Sequence, residues 1–329
     1  MSAQDVARRA GVSRSAVSRT FTPGASVSSH TRDRVMRAAD ELGYRVNHLA
    51  RSLARKRTGI VCLVAADVET PHMARLVKAI TRRLQGEQRV GLLLSLGGPS
   101  DDPAATLEQT FHYRADATIV LSGTPAESIV RRALGSGQRL ILINRNDPVE
   151  GPDHVRTSSE EAMQDALLAF LRAGCRQLAV VNSGRATPSL AAREEAFKAA
   201  AAARGLPVRV VREGSGSHYE GGIAAARSLF AAGTRPDAVF CVNDLMALGV
   251  MDCARHVFGL DVPRDLCVIG FDDIPQAEWL SYALTTFEQP AETIAQAAVR
   301  LALQDPEAMP PPQTVTVSPR LVWRETVRR

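Results

Sequence analysis

Residues 5–24 read DVARRAGVSRSAVSRTFTPG, and this stretch decides how the amino-terminal part of the chain folds. Ser2 can cap a helix over residues 3–10, with Val6, Ala7 and Ala10 on one face. Gly11 ends it, because glycine accepts the left-handed conformation that many helix stops require. Val12 and Ser13 complete a tight turn into a second helix, residues 14–21, with Ala16, Val17 and Phe21 as its apolar positions. Thr22-Pro23-Gly24 breaks that helix. Ser28 can then cap a third helix ending at Gly43, with Val35, Ala38, Ala39 and Leu42 as its inner stripe. Two short helices joined by a glycine turn and braced by a third predict an all-α helix-turn-helix head.

Such a head presents the start of its second helix to the major groove of double-stranded DNA. The outward residues there are Arg14, Ser15, Ser18 and Arg19. Arginine can bond guanine O6 and N7 bidentately, whereas serine is a less selective donor or acceptor. Ser13, Thr22, Ser28 and Thr31 fall at helix ends, where hydroxyls and backbone N–H groups suit phosphates. Capping accounts for a large part of the role of Ser28, and the two roles are compatible.

The charge is distributed in keeping with this reading. Residues 1–57 carry 12 Arg and Lys against 4 Asp and Glu, a charge of +8, which leaves −3 for the rest of a chain whose total is +5. A basic head on a mildly acidic body directs only the head towards a polyanion. At 329 residues, 45% hydrophobic and 23% charged, the composition is that of a globular protein of two to three domains. The longest apolar runs are strand-sized, well short of the roughly 18 residues of a membrane span. The start, MSAQDVARRAG, lacks an apolar signal core, so a cytoplasmic location with no membrane partner is expected. The five cysteines, Cys62, Cys175, Cys241, Cys253 and Cys267, are scattered without a CxxC pair and read as buried reduced thiols.

The segment DVARRAGVSRSAVSRTFTPGASVSSHTRDRVMRAADELGYRVNHLARSL resembles the head of the LacI/GalR family, the lactose and galactose repressor family. The family pattern is DVA-x-x-AGVS-x-x-TVSR, then VS-x-x-TR-x-x-V, LGY-x-x-N and ARSL. This chain departs from it at Ala16 and Thr22, where threonine and asparagine are usual. The resemblance implies a head over residues 1–46 and a hinge helix and linker over 47–57. In that hinge Leu53 would wedge into the minor groove and Arg51 would neutralise a phosphate.

From Thr58 onward, short β-branched runs such as GIVCLVAAD, RVGLLLSL, ATIVLSG and RLILIN alternate with helical stretches. A second set, including QLAVVN, VRVVREG, AVFCVND and LCVIGFDD, repeats the alternation. Two sets predict an α/β body of two doubly wound parallel-sheet subdomains with a cleft between them. Ligands bind such sheets at the carboxyl ends of strands. The polar residues at those ends are Asp67, Asn144, Asn182, Asn243-Asp244 and Asp272-Asp273.

VNDLMALGVM, CVIGFDDIP, LTTFEQP and AAREEAF resemble the effector-binding body of the same family, a body of the periplasmic-binding-protein type. The resemblance implies an effector-binding and dimerisation domain over 58–329. Its N-subdomain would cover about 58–157 and 288–315, and its C-subdomain about 158–287 and 316–329. It further implies that Arg193 clamps effector hydroxyls or a carboxylate, that Asp272 accepts bonds from hydroxyls, and that Asn243 faces the effector. Asn144, at a strand end where aspartate is common, and Thr70, in the first strand–helix loop, complete the expected site. An aromatic residue usual in this family is replaced by Gly216 within SGS, and the first loop reads VETPHMARL. The aromatic stacking wall is therefore in doubt. His72, Met73 and Trp279 could supply part of it, although packing roles suit each better.

No G-x-S-x-G elbow, Walker A loop, H-E-x-x-H pair or G-x-G-x-x-G turn occurs, so neither catalysis nor a cofactor or metal is expected. The expected function is a sequence-specific transcription regulator, a repressor. It would bind a near-palindromic DNA operator as a homodimer under allosteric control by a small polar effector, a sugar or sugar derivative. No heptad run follows Arg320, which favours dimers over tetramers. The competing reading is a cytoplasmic small-molecule-binding protein or sugar-processing enzyme with a vestigial head. The charge split and the intact ARSL weigh against it.

Overall fold

The computed structural model describes residues 1–22, 24–45, 58–96, 103–121, 127–135, 137–145, 150–214, 216–231, 233–305 and 310–329. The chain divides into two compact units, Met1–Thr58 and Gly59–Arg329. The hinge expected at 47–57, with Arg51 and Leu53, lies outside the described residues.

The first unit holds α1 (Ala3–Ala10), α2 (Arg14–Thr20) and α3 (Ser29–Glu41). Ser2 Oγ accepts the Asp5 N–H while Asp5 Oδ2 accepts the Ser2 N–H, a reciprocal capping box. Gly11 has φ +61°, and a Cβ there would lie 2.6 Å from Arg34 Nη2, which bonds the Ala10 carbonyl. Glycine holds this conformation without strain and leaves the Arg34 guanidinium in place. Val6, Ala7, Ala10, Val17, Val35, Ala38 and Ala39 form the small core, and the Phe21 and Tyr44 rings close its side, 5.8 Å apart. The second and third helices end one and two residues before the expected ends, because Phe21 and Leu42 serve as their C-caps.

The second unit opens with β1 (Ile60–Ala66), α4 (Pro71–Gly86), β2 (Val90–Leu96), α5 (Pro103–His112), β3 (Ala117–Val120), α6 (Glu127–Gly135), β4 (Arg139–Ile143) and β5 (Asp153–Thr157). It continues with α7 (Glu160–Arg172), β6 (Leu178–Ser183), α8 (Pro188–Ala202), β7 (Val208–Glu213), α9 (Tyr219–Ala231), β8 (Ala238–Cys241), α10 (Asp244–His256) and β9 (Cys267–Ile269). β10 (Thr286–Glu288), α11 (Ala291–Ala302), β11 (Thr314–Val317) and β12 (Arg320–Val322) complete it.

One parallel sheet runs β11-β5-β4-β3-β1-β2 and a second runs β7-β6-β8-β9. Registers such as Val61↔Ala117 and Leu178↔Ala238 set continuous β-branched and aliphatic runs side by side. Strands buried on both faces read this way. The second sheet is packed by a phenylalanine cluster in which Phe197 stacks on Phe240 at 5.3 Å. α9 and α10 approach so closely that a Cβ on Gly222 or Gly249 would collide with the backbone carbonyl of Met246 or Tyr219.

The chain passes between the two sheets three times: after β5, between β10 and α11, and between β11 and β12. The second passage lies beyond Glu288, because β10 pairs with β12 through Glu288↔Arg320. The third lies beyond Val317, which pairs with Thr157 in the first sheet. The sequence reading omitted β5, β11 and β12. DHVRT, TVTV and RLV are too short and too polar to stand out, and only their neighbours make them strands. Among the described residues no helix is long and apolar enough to cross a membrane.

Candidate functional sites: an inter-sheet cleft and a basic helix surface

Three strand ends turn into the space between the sheets. Asp67 after β1, Asn144 after β4 and Asp272 beyond β9 have φ of +49°, +55° and +122°. Non-glycine residues rarely occupy this region, and where they do they cluster at ligand sites. All three line one cleft of about 880 Å³, including its open mouth. Thr70, Arg193 and Asn243 line the same cleft, so the structure brings together all five residues expected there: Arg193, Asn243, Asp272, Asn144 and Thr70.

Arg193 rises from α8, is 4% exposed, and lies with its guanidinium carbon 3.8 Å from the Phe271 ring centroid. Nη1 donates to the Val242 carbonyl at 2.8 Å and faces Asp272 Oδ1 at 3.7 Å. Burial pulls this guanidinium below its ordinary pKa, while Asp272 and then Asp244 hold it up. An arginine fixed by a carbonyl and a ring keeps its fork oriented for a ligand oxygen.

Asn243 borders the cleft with both side-chain groups engaged. Oδ1 caps α10 by accepting the Met246 N–H at 3.0 Å, and Nδ2 donates to the Ser217 carbonyl at 2.7 Å. It braces the 216–218 loop against the helix, with one Oδ1 lone pair left over. Thr70 precedes Pro71 of α4 and donates its hydroxyl to the Asp67 carbonyl at 2.9 Å, leaving its oxygen lone pairs towards the cleft.

The central link is one the sequence reading did not name. Gln289, 2% exposed, lies in the second passage between the sheets. Its Nε2 donates to Asp272 Oδ1 at 2.5 Å, and its Oε1 accepts from Asn144 Nδ2 at 3.3 Å and from Thr157 Oγ1 at 3.1 Å. Asn144 Oδ1 accepts the Thr157 N–H in turn. The LTTFEQP run that carries Gln289 was singled out, but its glutamine was not.

His72 on α4 lines the cleft, and its Nδ1 is buried without a hydrogen-bond partner. Burial lowers its pKa, partly offset by Asp272, so the ring is neutral. Its neighbour Met73 also lines the cleft, whereas Trp279 is 56% exposed and stands outside it. A Cβ at Gly216 would meet the His218 ring at 2.7 Å, so a larger residue there would displace that ring.

Other strand-end residues are structural. Asn182 donates to Glu194 at 2.8 Å, deep in the second sheet's packing. Asp273 pairs with Arg324 at 2.7 Å, and its carbonyl accepts Arg75 Nη2 of α4 at 2.7 Å, a tie from one subdomain to the other. Asp244 is fully buried; its Oδ1 accepts from Thr286 Oγ1 and its Oδ2 accepts the Ile274 N–H.

In the head, Arg14, Ser15, Ser18 and Arg19 are all exposed on α2, whose opposite face buries Ala16, Val17 and Thr20. Ser13 and Ser28 cap α2 and α3 by accepting the Ala16 and Thr31 N–H groups. Thr31 Oγ1 accepts from Ser28, and Thr22 Oγ1 donates to the Ser18 carbonyl. The exposed face therefore combines two arginines with hydroxyls whose spare lone pairs point outward.

Comparison with known proteins agrees with both halves. Residues 2–47 match the model of bacterial regulatory proteins of the lacI family, and residues 167–327 match that of the periplasmic binding protein-like domain. The HTH-type transcriptional repressor PurR of Yersinia pestis bv. Antiqua (strain Antiqua) is 28% identical over 330 residues, covering 98% of this chain and 96% of the relative. The Lac repressor dimer bound to operator and the anti-inducer ONPF superposes with a TM-score of 0.91 at 21% identity, covering 100% of this chain and 99% of that one. The transcriptional regulator CelR in complex with cellobiose superposes with a TM-score of 0.72 at 25% identity, covering 99% of both chains. With a head of three capped helices and a body of two parallel sheets around a polar cleft, the chain carries a head domain of the lacI family of bacterial regulatory proteins followed by a periplasmic binding protein-like domain.

Proposed function

We propose that this regulator represses transcription from the cytoplasm. It binds a near-palindromic operator as a homodimer and takes a compact, hydroxyl-rich effector, a sugar or sugar derivative, in its cleft. The observation that carries the effector reading is the chain Arg193–Asp272–Gln289–Asn144, which joins the two walls of the cleft. A ligand that bonds Arg193 and Asp272 on one wall and Thr70 and His72 on the other binds closed and open clefts unequally. Only such a difference shifts their populations.

Among the described residues the lining holds no Phe, Tyr or Trp. That favours a ligand recognised by its hydroxyls over a planar base recognised by stacking. The paired carboxylate and guanidinium suit vicinal hydroxyls, one donating and the next accepting. The named relatives support the DNA half: PurR is a repressor, and the Lac repressor is seen as a dimer on its operator. Binding, not catalysis, is the activity of this cleft.

The test is a thermal-shift screen of sugars, sugar acids, polyols and nucleobases, followed by Asp272→Ala and Arg193→Ala. A hydroxylated compound should raise the melting temperature of the wild type and leave both variants unmoved, while both still bind operator at fixed salt. A response confined to nucleobases, or variants that respond like wild type, would overturn the assignment.

A further inference from the structure

Two helices open on the cleft in the same way, one from each subdomain. Residues 70–73, where α4 starts, read TPHM, and residues 187–190, where α8 starts, read TPSL; both segments line the cleft. Proline at the first helical position has no N–H to offer. Neither N-cap threonine caps its helix: Thr70 Oγ1 donates back to the Asp67 carbonyl, and Thr187 Oγ1 bonds Ser189 Oγ at 3.1 Å. The helical ladders start only with the Ala74 N–H on the Thr70 carbonyl and the Ala191 N–H on the Thr187 carbonyl, both at 2.9 Å. The N–H groups of His72 and Met73, and of Ser189 and Leu190, thus have no partner within their helices and stand at the positive ends of the helix dipoles.

Two buried side chains at these helix ends call for a ligand. Arg193 lies one turn beyond Ser189 on the same face of α8 and is 4% exposed. Its Nη1 is taken up by the Val242 carbonyl and Asp272, and among the described residues nothing accepts from its Nε or Nη2. That remaining edge is the one with which a guanidinium grips a carboxylate or phosphate through two parallel bonds. His72 is the second residue of α4, and its buried Nδ1 has no hydrogen-bond partner. The charged side chains of the lining balance, Arg145 and Arg193 against Asp67 and Asp272, so the two helix ends leave the cleft with a positive surplus. α10 also starts at this cleft, but Asn243 caps it and Asp244 opens its first turn, so its end is already satisfied.

We propose that the effector is a hydroxylated anion, and that the first turns of α4 and α8, with the open edge of Arg193, hold its carboxylate or phosphate group. The inference rests on the cleft being the effector site and narrows the sugar derivative of that reading to an acidic one. Asp272 and Thr70 are left to read hydroxyls. An anion bonded by N–H groups of both subdomains favours the closed cleft, because opening carries one helix end away from it.

The experiment is a thermal-shift series on the full chain at constant pH and ionic strength. Glucose, galactose and ribose are each matched with their aldonate and their terminal phosphate ester, and nucleobases are run alongside. An acid should bind about tenfold or more tightly than its neutral parent, and the arm that responds, aldonate or phosphate ester, identifies the group. Inorganic phosphate, the anion without a skeleton, should raise the melting temperature of the wild type more than that of Ser189→Asp. In that variant a built-in carboxylate occupies the α8 end, so it should melt above the wild type without ligand and lose the response to acids. A neutral sugar that binds as tightly as its acids, with Asp272→Ala and Arg193→Ala unresponsive, would overturn the anionic subsite and leave the effector cleft standing. Stabilisation by nucleobases alone would overturn both. Equal phosphate responses of wild type and Ser189→Asp would overturn the subsite whichever sugar is bound.

Discussion

Gln289 donates its amide to Asp272 at 2.5 Å from a position midway along a passage between the two sheets. The same side chain accepts from Thr157, the last residue before the first passage, and Thr157 is paired with Val317, the last before the third. One buried glutamine thus ties the effector-facing carboxylate to the passages about which the subdomains must turn. Hinge closure concentrates its dihedral changes at such positions.

Gln289→Leu keeps the volume and removes the bonds. It leaves Asp272 and Asn144 each short of one partner, while Thr157 Oγ1 keeps its bond to Asn144 Oδ1 at 2.8 Å, at about 1–3 kcal/mol for each group left unsatisfied. At about 2 °C per kcal/mol for a body of this size, it should melt roughly 4–12 °C lower. Effector-dependent stabilisation should fall further than this loss explains, because the two walls no longer share a bond. A Gln289→Leu protein that melted with the wild type and kept the full ligand shift would show the bridge to be incidental.

Asp244 gives the body a pH dependence with a definite sign. Burial raises its carboxyl from 3.8 to about 7, and Asp272 adds to the rise. The folded state then binds more protons than the unfolded state between those two values, so stability falls as pH climbs through that window. The full effect is on the order of 4 kcal/mol. Asp244→Asn mimics the protonated acid: its amide can donate to Thr286 Oγ1 while its carbonyl accepts the Ile274 N–H, where the two carboxylate oxygens now lie. The variant should gain roughly 3 kcal/mol on wild type between pH 5 and pH 8, read from urea unfolding of both. His72, with its lowered pKa, works in the opposite direction in both proteins and cancels from the difference. Parallel wild-type and variant profiles would refute the buried-acid account.

What was legible in the sequence follows from what is local. The helix-turn-helix reads directly, because Ser2, Gly11, Ser13 and Ser28 set their caps within three or four residues of themselves. The five expected cleft residues are named through the family resemblance, while strand–helix alternation marks only Asn144, Asn243 and Asp272 among them as strand-end residues. Gln289 could not be read this way. Its importance comes from Asn144, Thr157 and Asp272, 145, 132 and 17 residues away, and no local pattern marks a glutamine that follows a short strand. β11 escaped for the same reason, since it becomes a strand by pairing with β5 across about 160 residues of sequence.

The exposed arginines of the head separate two roles that a structure of the protein alone leaves side by side. Arg19 is exposed on α2 beside Ser15 and Ser18, whereas Arg9 on α1 is already held by Glu41, with Nε 2.8 Å from the carboxylate. If Arg19 reads a guanine edge, Arg19→Ala should cost about 1–3 kcal/mol at the cognate site and relax the preference at one base pair of each half-site. If it only neutralises a phosphate, binding should weaken evenly across sequences, and the slope of log affinity against log salt should fall by roughly one. Arg9→Ala, which removes a surface ion pair, should change affinity by less than about 1 kcal/mol without altering sequence preference. Selection from randomised duplexes at fixed salt, repeated over a salt series, measures both quantities. The expected outcome is a changed base preference for Arg19→Ala and none for Arg9→Ala. An unchanged preference with a reduced salt slope would move Arg19 from the base edges to the backbone.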